Sequence, residues 1–223
     1  MWPSRPFRRR GFTLLEALLA TVITAVVLGA IYTMYLANQE TFLRGEARSD
    51  LQQSARIAMD AMLRALHGLG YDPRLTGRFG FRDPANPGGG AGCPDGSVGC
   101  ATQAEIRFTM DDDGDGLVDD VAPQRGRERV GFRLRDGVLQ KITPGAVLNP
   151  QPLATGITAL RFTFLDAAGR TIPDPPDAAS NLAPGQRDAI RRVRIELTAS
   201  RDVRREMYAF SLTSEALLRN LPP

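Results

Sequence analysis

The chain has 223 residues, of which 43% are hydrophobic, and a formal net charge of +3 at pH 7. That length accommodates one domain of ordinary size and an accessory element. Four positive charges, Arg5, Arg8, Arg9 and Arg10, lie in the first 11 residues, which contain no acid. Because the remainder is close to neutral, the global charge gives no support to a nucleic-acid-binding class.

An uncharged, mostly apolar run follows the basic cluster, over residues 17–37. At about 1.5 Å per residue, a helix of that length spans roughly 30 Å, the thickness of the hydrocarbon core of a bilayer. Since the arginines precede the run, we expect a single membrane pass with a cytoplasmic N-terminus and an exported body. A cleaved secretory signal is the alternative. The run is long for such a signal, and Tyr32, Met34 and Leu36 make a poor small-residue cleavage site.

Glu16 lies just before this uncharged run, where lipid disfavours a charge. A carboxylate at the centre of a membrane helix costs about 2.5–3.5 kcal/mol on insertion scales, and less near the interface. Physical chemistry alone leaves two interpretations open. Either Glu16 faces water in the headgroup region, or it has a partner within the membrane.

The string GFTLLE, residues 11–16, follows a short basic leader and resembles the class III signal of type IV prepilins and type II secretion pseudopilins. The resemblance implies that a membrane prepilin peptidase cuts between Gly11 and Phe12 and methylates the new terminus on Phe12. Glu16 is then the fifth residue of the mature chain. In that family this carboxylate acts in assembly, by pairing with the N-terminal amine of a neighbouring subunit, and a pair of charges is cheaper to bury than either alone.

Beyond the apolar run, the sequence continues with helical periodicity to residue 69. Apolar residues recur at spacings of three or four: Leu43, Ala47, Leu51, Ala55, Met59, Met62, Leu66 and Leu69. We expect the helix to end near Gly68–Gly70, before the Tyr71-Asp72-Pro73 sequence. One helix of more than 50 residues is therefore predicted, with its first half in lipid and its second half packed on a globular head.

Residues 71–100 read as a loop that is rich in glycine and proline and contains both cysteines, Cys93 and Cys100. A close pair of cysteines in such a loop favours a local disulfide, provided that the body is exported to an oxidising compartment. The alternative is two free thiols, since two cysteines are too few for a tetrahedral zinc site.

Alternating apolar and polar residues then predict strands that each have one apolar face. The predicted strands cover residues 105–110, 129–135, 138–142, 160–164, 192–199 and 207–213, and Asp136-Gly137 is a favourable hairpin turn. Residues 171–187 read as a second proline-rich loop. The predicted fold class is α+β, with a long N-terminal helix packed on an antiparallel β-sheet head.

The segment DDDGDGLVDD, residues 111–120, is the one stretch that offers ion chemistry. Asp111, Asp113, Asp115 and Asp119 match the first, third, fifth and ninth positions of an EF-hand calcium loop. The twelfth position is Ala122 rather than glutamate, and no helix pattern flanks the loop, so it is not an EF-hand. A calcium site and a solvated acidic turn both remain open, and the sequence indicates no cofactor other than calcium.

The strands RVGFRLRDGVLQKI and ITALRFTFLDAAG and the end SEALLRN are similar to PilW-type minor pilins and to J-type pseudopilins. The resemblance implies a leader over residues 1–11, a transmembrane helix over 12–37, an amphipathic periplasmic helix over 38–70 and a β-rich periplasmic head over 71–223. It implies an inner-membrane protein that enters a pilus. The implied partners are prepilin peptidase and other minor and major pilins.

No enzyme motif appears in the sequence, which lacks both a nucleophile elbow and a phosphate-binding glycine loop. Arginines between Arg187 and Arg205 could form a basic face for DNA, but aromatic residues for base stacking are absent there and acids dilute the charge. We therefore expect a solvated sheet face and no nucleic-acid partner. The expected function is that of a minor pilin that helps to initiate or cap a filament. The alternatives are a J-type pseudopilin and a membrane-anchored periplasmic binding module that never polymerises.

Overall fold

The structure is a computed structural model that describes residues 13–81, 101–118, 128–142, 150–173, 182–203 and 206–221. The chain has two compact units, Met1–Glu46 and Ala47–Pro223. The predicted α+β class is confirmed, because a long apolar helix is followed by antiparallel sheets.

Helix α1 covers Leu14–Gly68, which agrees with the predicted helix end. In the first unit, residues 14–39 of this helix are exposed, as expected of a segment that has no protein core to pack against. In the second unit one stripe of α1 is buried, formed by Ala47, Leu51, Ala55, Ala58, Met59, Met62 and Leu66. This confirms the predicted periodicity, except that Leu43 is exposed because it precedes the part of the helix that meets the head.

Helix α1 ends where its sequence runs into two glycines. Gly70 has a φ of 72°, a left-handed conformation that favours glycine after the last turn of a helix. Its N–H donates to the oxygen of Thr109 at 3.1 Å, so the chain leaves the helix directly onto a strand. This contact fixes the position of the loop that follows.

The first sheet has four antiparallel strands in the order β1-β2-β3-β4. They cover Glu105–Thr109, Arg129–Arg135, Val138–Ile142 and Gln151–Thr155. The predicted turn between β2 and β3 is confirmed, since Asp136 and Gly137 have φ values of 52° and 73°. Strand β4 was not predicted, because a proline such as Pro152 argues against a strand in the interior of a sheet.

The second sheet has three antiparallel strands in the order β5-β6-β7. They cover Ile157–Leu165, Arg192–Val203 and Glu206–Leu217. A short helix, α2, covers Pro184–Asp188 and lies in a stretch that was predicted as loop. The body therefore has two sheets where the sequence indicated a single antiparallel sheet.

The hydrophobic core joins the buried stripe of α1 to the inner faces of both sheets. Among its fully buried side chains are Met62 and Leu66 of α1, Phe132 of β2 and Phe162 of β5. Phe164 of β5 packs edge-to-face on Phe81, with ring centroids 6.1 Å apart.

One buried charge departs from the predicted alternation. Arg107 was predicted on an exposed face of β1, yet it is buried and forms an ion pair with Glu105 two residues earlier. Gly131 lies opposite on β2, and a Cβ there would come within 2.9 Å of Cγ of Arg107. The buried charge is tolerated because it is paired and because glycine leaves room for its stem.

Candidate functional site

Glu16 lies in the first turn of α1 and contacts Thr13, the residue before the helix begins. The N–H of Glu16 donates to the Thr13 hydroxyl at 3.3 Å. The main-chain N–H and the hydroxyl of Thr13 each donate to Oε2 of Glu16 at 3.5 Å. These reciprocal contacts form a capping box that satisfies donors at the start of the helix.

Sequence reasoning missed this role of Thr13, although a threonine followed three residues later by glutamate is the signature of a capping box. The contacts with Oε2 are at the upper limit of hydrogen-bond length, so they hold the carboxylate weakly. Thr13 directly follows Phe12, the residue whose amine the predicted cut would expose. The predicted cut itself, between Gly11 and Phe12, lies outside the described residues.

The threonines of the apolar segment have their hydroxyls satisfied within the helix. The hydroxyls of Thr21, Thr24 and Thr33 donate to main-chain oxygens three or four residues earlier, at 2.7–2.8 Å. Residues 17–37 carry no charge. Within the described residues, α1 is the one helix long and apolar enough to cross a membrane. Glu16 is therefore the single charged group at the start of an otherwise lipid-compatible surface.

The aspartate loop, residues 111–117, is a compact turn after β1. One carboxylate oxygen from each of Asp111, Asp113 and Asp115 lies within 4.8 Å of the others. Asp111 is fully buried and accepts the N–H groups of Gly114 at 2.8 Å and Gly116 at 3.1 Å. These hydrogen bonds organise the turn, and calcium binding stays a prediction. Asp119 lies outside the described residues.

Two further residues hold the aspartate loop, and sequence reasoning did not place either of them there. Arg74 donates from Nε to the oxygen of Gly114 at 2.7 Å, which brings a positive charge to the loop. Glu128 is buried and accepts the N–H of Asp112 at 3.0 Å. Both lie far from the loop in sequence, so local pattern gave no signal for them.

The other candidates are distributed over the body. Cys93 and Cys100 lie outside the described residues, so their disulfide stays a prediction. In the arginine-rich segment, Arg192 and Arg194 both pair with Glu215 across two strands, at 3.4 and 3.3 Å. Arg187 is buried, and burial lowers the pKa of its guanidinium. Arg192 and Arg194 are therefore paired within the sheet, and Arg187 lies in the core.

Glu16 at the start of an exposed apolar helix, followed by an α+β head, defines a membrane-anchored protein of the pilin type. Residues 6–32 match the prokaryotic N-terminal methylation motif, which includes the predicted cut and Glu16. Residues 45–216 match the family described as prepilin peptidase-dependent protein B. The chain belongs to this family, since the match covers most of its length. Among curated proteins, none matches the chain.

Proposed function

We propose that the chain is a minor pilin of a type IV pilus, a non-enzymatic subunit that helps to initiate or cap the filament. Prepilin peptidase would remove residues 1–11 and methylate Phe12. The N-terminus of the precursor would be cytoplasmic, with the head in the periplasm and α1 in the inner membrane. Other minor and major pilins would be its partners, and their apolar helices would pack beside α1 in the filament core.

The observation that carries this proposal is the weakly held carboxylate of Glu16 at the start of α1. Its contacts with Thr13 are 3.5 Å long, so a stronger partner would displace them at little cost. A charged amine is such a partner, because an ionised pair makes shorter and stronger hydrogen bonds. The freshly cut Phe12 of a neighbouring subunit would bring that amine to the same depth in the membrane.

Two roles of Glu16 can be separated by the choice of substitution. Glutamine also serves as the second residue of a capping box, so Glu16→Gln keeps the cap and removes the charge. Thr13→Ala removes the capping hydroxyl and keeps the charge. Glu40→Ala is the matched control, because it removes a carboxylate that pairs with Arg44 on the same helix beyond the apolar run.

The experiment measures how much of each variant enters filaments sheared from cells. We expect Glu16→Gln to be excluded as strongly as Glu16→Ala, while Thr13→Ala and Glu40→Ala enter nearly as well as the wild type. Normal entry of Glu16→Gln would show that the cap, and not the charge, explains Glu16, and would remove the pairing role.

The two alternatives from the sequence make different predictions. A J-type pseudopilin would be processed identically but would be needed for secretion of folded proteins and not for pilus assembly. A periplasmic binding module that never polymerises would be absent from every filament fraction. A deletion strain assayed for both pilus assembly and secretion therefore separates the three candidates.

A further inference from the structure

Strand β7 exposes an edge that differs from the other sheet edges of the molecule. The edge of β1 is covered by bridges from Gly80 and Ala101. The edge of β4 is only five residues long and contains Pro152. The second edge of β5 is occupied, since Phe162 donates to the oxygen of Gln103 at 2.8 Å. Each of these is a recognised way of protecting a strand edge.

No strand lies beside the second edge of β7 among the described residues. The strand has 12 residues, Glu206–Leu217, and pairs with β6 in continuous register. It contains no proline, lysine or arginine, and no bulge interrupts its pairing. Its inner face adds a row of partly buried side chains, Tyr208, Phe210 and Leu212. A long, regular, partly apolar edge of this kind is a template for another strand.

The register identifies which main-chain groups point outward. Ser200 of β6 donates its N–H to Gly156 on the β5 side, so its polar groups face away from β7. Ala209 lies opposite Ser200 in the β6–β7 pair. In an antiparallel ladder, opposite residues alternate between hydrogen-bonded and non-hydrogen-bonded pairs. In a non-hydrogen-bonded pair, both residues direct their N–H and C=O groups away from each other. Ala209 and every second residue from Met207 to Leu217 therefore present polar groups to the open edge.

The size of the edge restricts the kind of partner. Twelve residues span roughly 40 Å, and a strand laid beside them covers a strip about 10 Å high, or roughly 400 Å² on each partner. A standard stable interface buries about 800 Å² per partner, so the edge alone is too small to hold a freely diffusing protein. A partner already concentrated in the same membrane does not need the full area, because its binding is effectively intramolecular.

The direction of β7 along α1 bears on antiparallel pairing with a second copy. Arg201, which lies opposite Tyr208 near the start of β7, contacts Asp50 of α1 at 3.6 Å. Asn220, just after β7 ends, contacts His67 near the end of α1. Strand β7 therefore runs in the same direction as α1. Antiparallel pairing of two β7 strands would turn the head parts of the two α1 helices, residues 47–68, in opposite directions.

We propose that the open edge of β7 binds an extended segment of a different membrane-anchored pilin-type subunit whose helix runs parallel to α1. This inference rests on the proposed function, because it takes its partner from the same filament system. Main-chain hydrogen bonds would provide the pairing, and Tyr208, Phe210 and Leu212 would contact the partner's apolar side chains.

The test places a photo-reactive amino acid at Thr213 of the full chain in its native membrane and identifies the crosslinked protein by mass spectrometry. Ala209→Pro removes one outward N–H and leaves the pairing with β6 intact. Ala209→Thr is the matched control, because it keeps the N–H. Ala209→Lys places a charge at the edge and leaves the backbone unchanged. It tests whether the edge binds the partner if the proline variant does not fold.

We expect a crosslink to a protein that carries its own N-terminal methylation motif. Its yield should be unchanged in Ala209→Thr. It should fall about tenfold in the proline variant, the effect of losing a hydrogen bond, and it should also fall in the lysine variant, which keeps the N–H but places a charge at the edge. Equal yield in Ala209→Lys, a product that contains two copies of this chain, or a partner without the motif would overturn the inference. Those results leave the proposed function standing, because that function fails on the behaviour of Glu16→Gln instead.

Discussion

The side-chain amide of Asn220 donates a hydrogen bond of 2.9 Å to the main-chain oxygen of His67, 153 residues earlier in the chain. The same amide lies 3.4 Å from the oxygen of Leu69. Carbonyl groups in the last turn of a helix have no partner within the helix, and Asn220 supplies one. The C-terminal segment thereby caps the end of α1.

Removal of this cap should destabilise the head measurably. We expect Asn220→Ala to lower the free energy of unfolding by about 1 kcal/mol, the usual net contribution of one hydrogen bond. Urea denaturation of the full chain in detergent measures the change. Arg219→Ala, at the neighbouring exposed position, is the control and should have little effect. Equal stabilities of the two variants would contradict the capping role.

Substitution of Gly70 should destabilise the chain more than substitution of Asn220 does. Its φ of 72° costs an alanine about 1–2 kcal/mol. A Cβ at this position would also lie 2.7 Å from Cδ2 of Leu221, so the C-terminal segment would have to move. We expect Gly70→Ala to destabilise the chain by at least 2 kcal/mol in the same denaturation assay, whereas Gly45→Ala, with open space around it, should be neutral or stabilising.

The buried stripe of α1 should determine the stability of the head. Met62 is fully buried, and its truncation to alanine should cost about 2–5 kcal/mol, as for other large-to-small core substitutions. Ile57 lies on the same helix but is half exposed, so Ile57→Ala should cost far less. Similar losses for the two variants would show that the helix packs differently from the structure described.

Asp111 should stabilise its turn whether or not calcium binds. Its carboxylate is buried and accepts two main-chain N–H groups, so Asp111→Ala would leave both donors without their partner. We expect a loss of about 2–3 kcal/mol, compared with little change for the exposed Asp113→Ala. Calorimetry with calcium tests the second prediction for this loop. Heat that disappears in Asp113→Ala would establish a site, and no heat at millimolar calcium would remove it.

The hydrogen bonds of Asp72 predict that the free energy of unfolding falls in acid. Burial raises the pKa of its carboxyl group, but hydrogen bonds from the N–H and hydroxyl of Thr76 and the N–H of Gly77 outweigh burial, and the pKa is lowered. A carboxyl group with a lowered folded pKa stabilises the fold above its unfolded pKa of about 3.9, and this contribution is lost as the pH falls through the folded value.

The measurement for Asp72 is urea denaturation at pH 6 and at pH 3. Asp72→Asn should lose less stability between the two pH values than the wild type loses, since one titrating group is gone. Thr76→Val should show an intermediate loss, because it removes only the hydroxyl and keeps the main-chain hydrogen bonds to Asp72. If Asp72→Asn loses as much stability between the two pH values as the wild type does, Asp72 is not a source of the acid sensitivity.

Local pattern predicted the elements of the fold whose side chains repeat regularly. The stripe on α1 and the turn at Asp136-Gly137 agree with the structure because periodicity and positive φ are local properties. Strand β7 was predicted only to Thr213 but extends to Leu217. Strand β4 was missed because Pro152 argues against a strand, and the division into two sheets was missed because alternation along a strand does not show which strands pair.

For the candidate site, the sequence was informative at the N-terminus and less so elsewhere. The string around Glu16 predicted an assembly role that stays a prediction, and the capping signature of Thr13 and Glu16 was present in the sequence but was missed. The residues that hold the aspartate loop, Arg74 and Glu128, lie 40 and 16 residues from their partners. Only the folded chain brings them to the loop, so no spacing rule could have found them.

The most direct test of the account is mass spectrometry of the native protein recovered from sheared filaments of cells with an active prepilin peptidase. The account predicts a chain that begins at Phe12 and carries one methyl group on its terminal amine. Recovery of the protein only in the membrane fraction, with Met1 through Gly11 still attached, would contradict the assignment of this chain as an assembling pilin subunit.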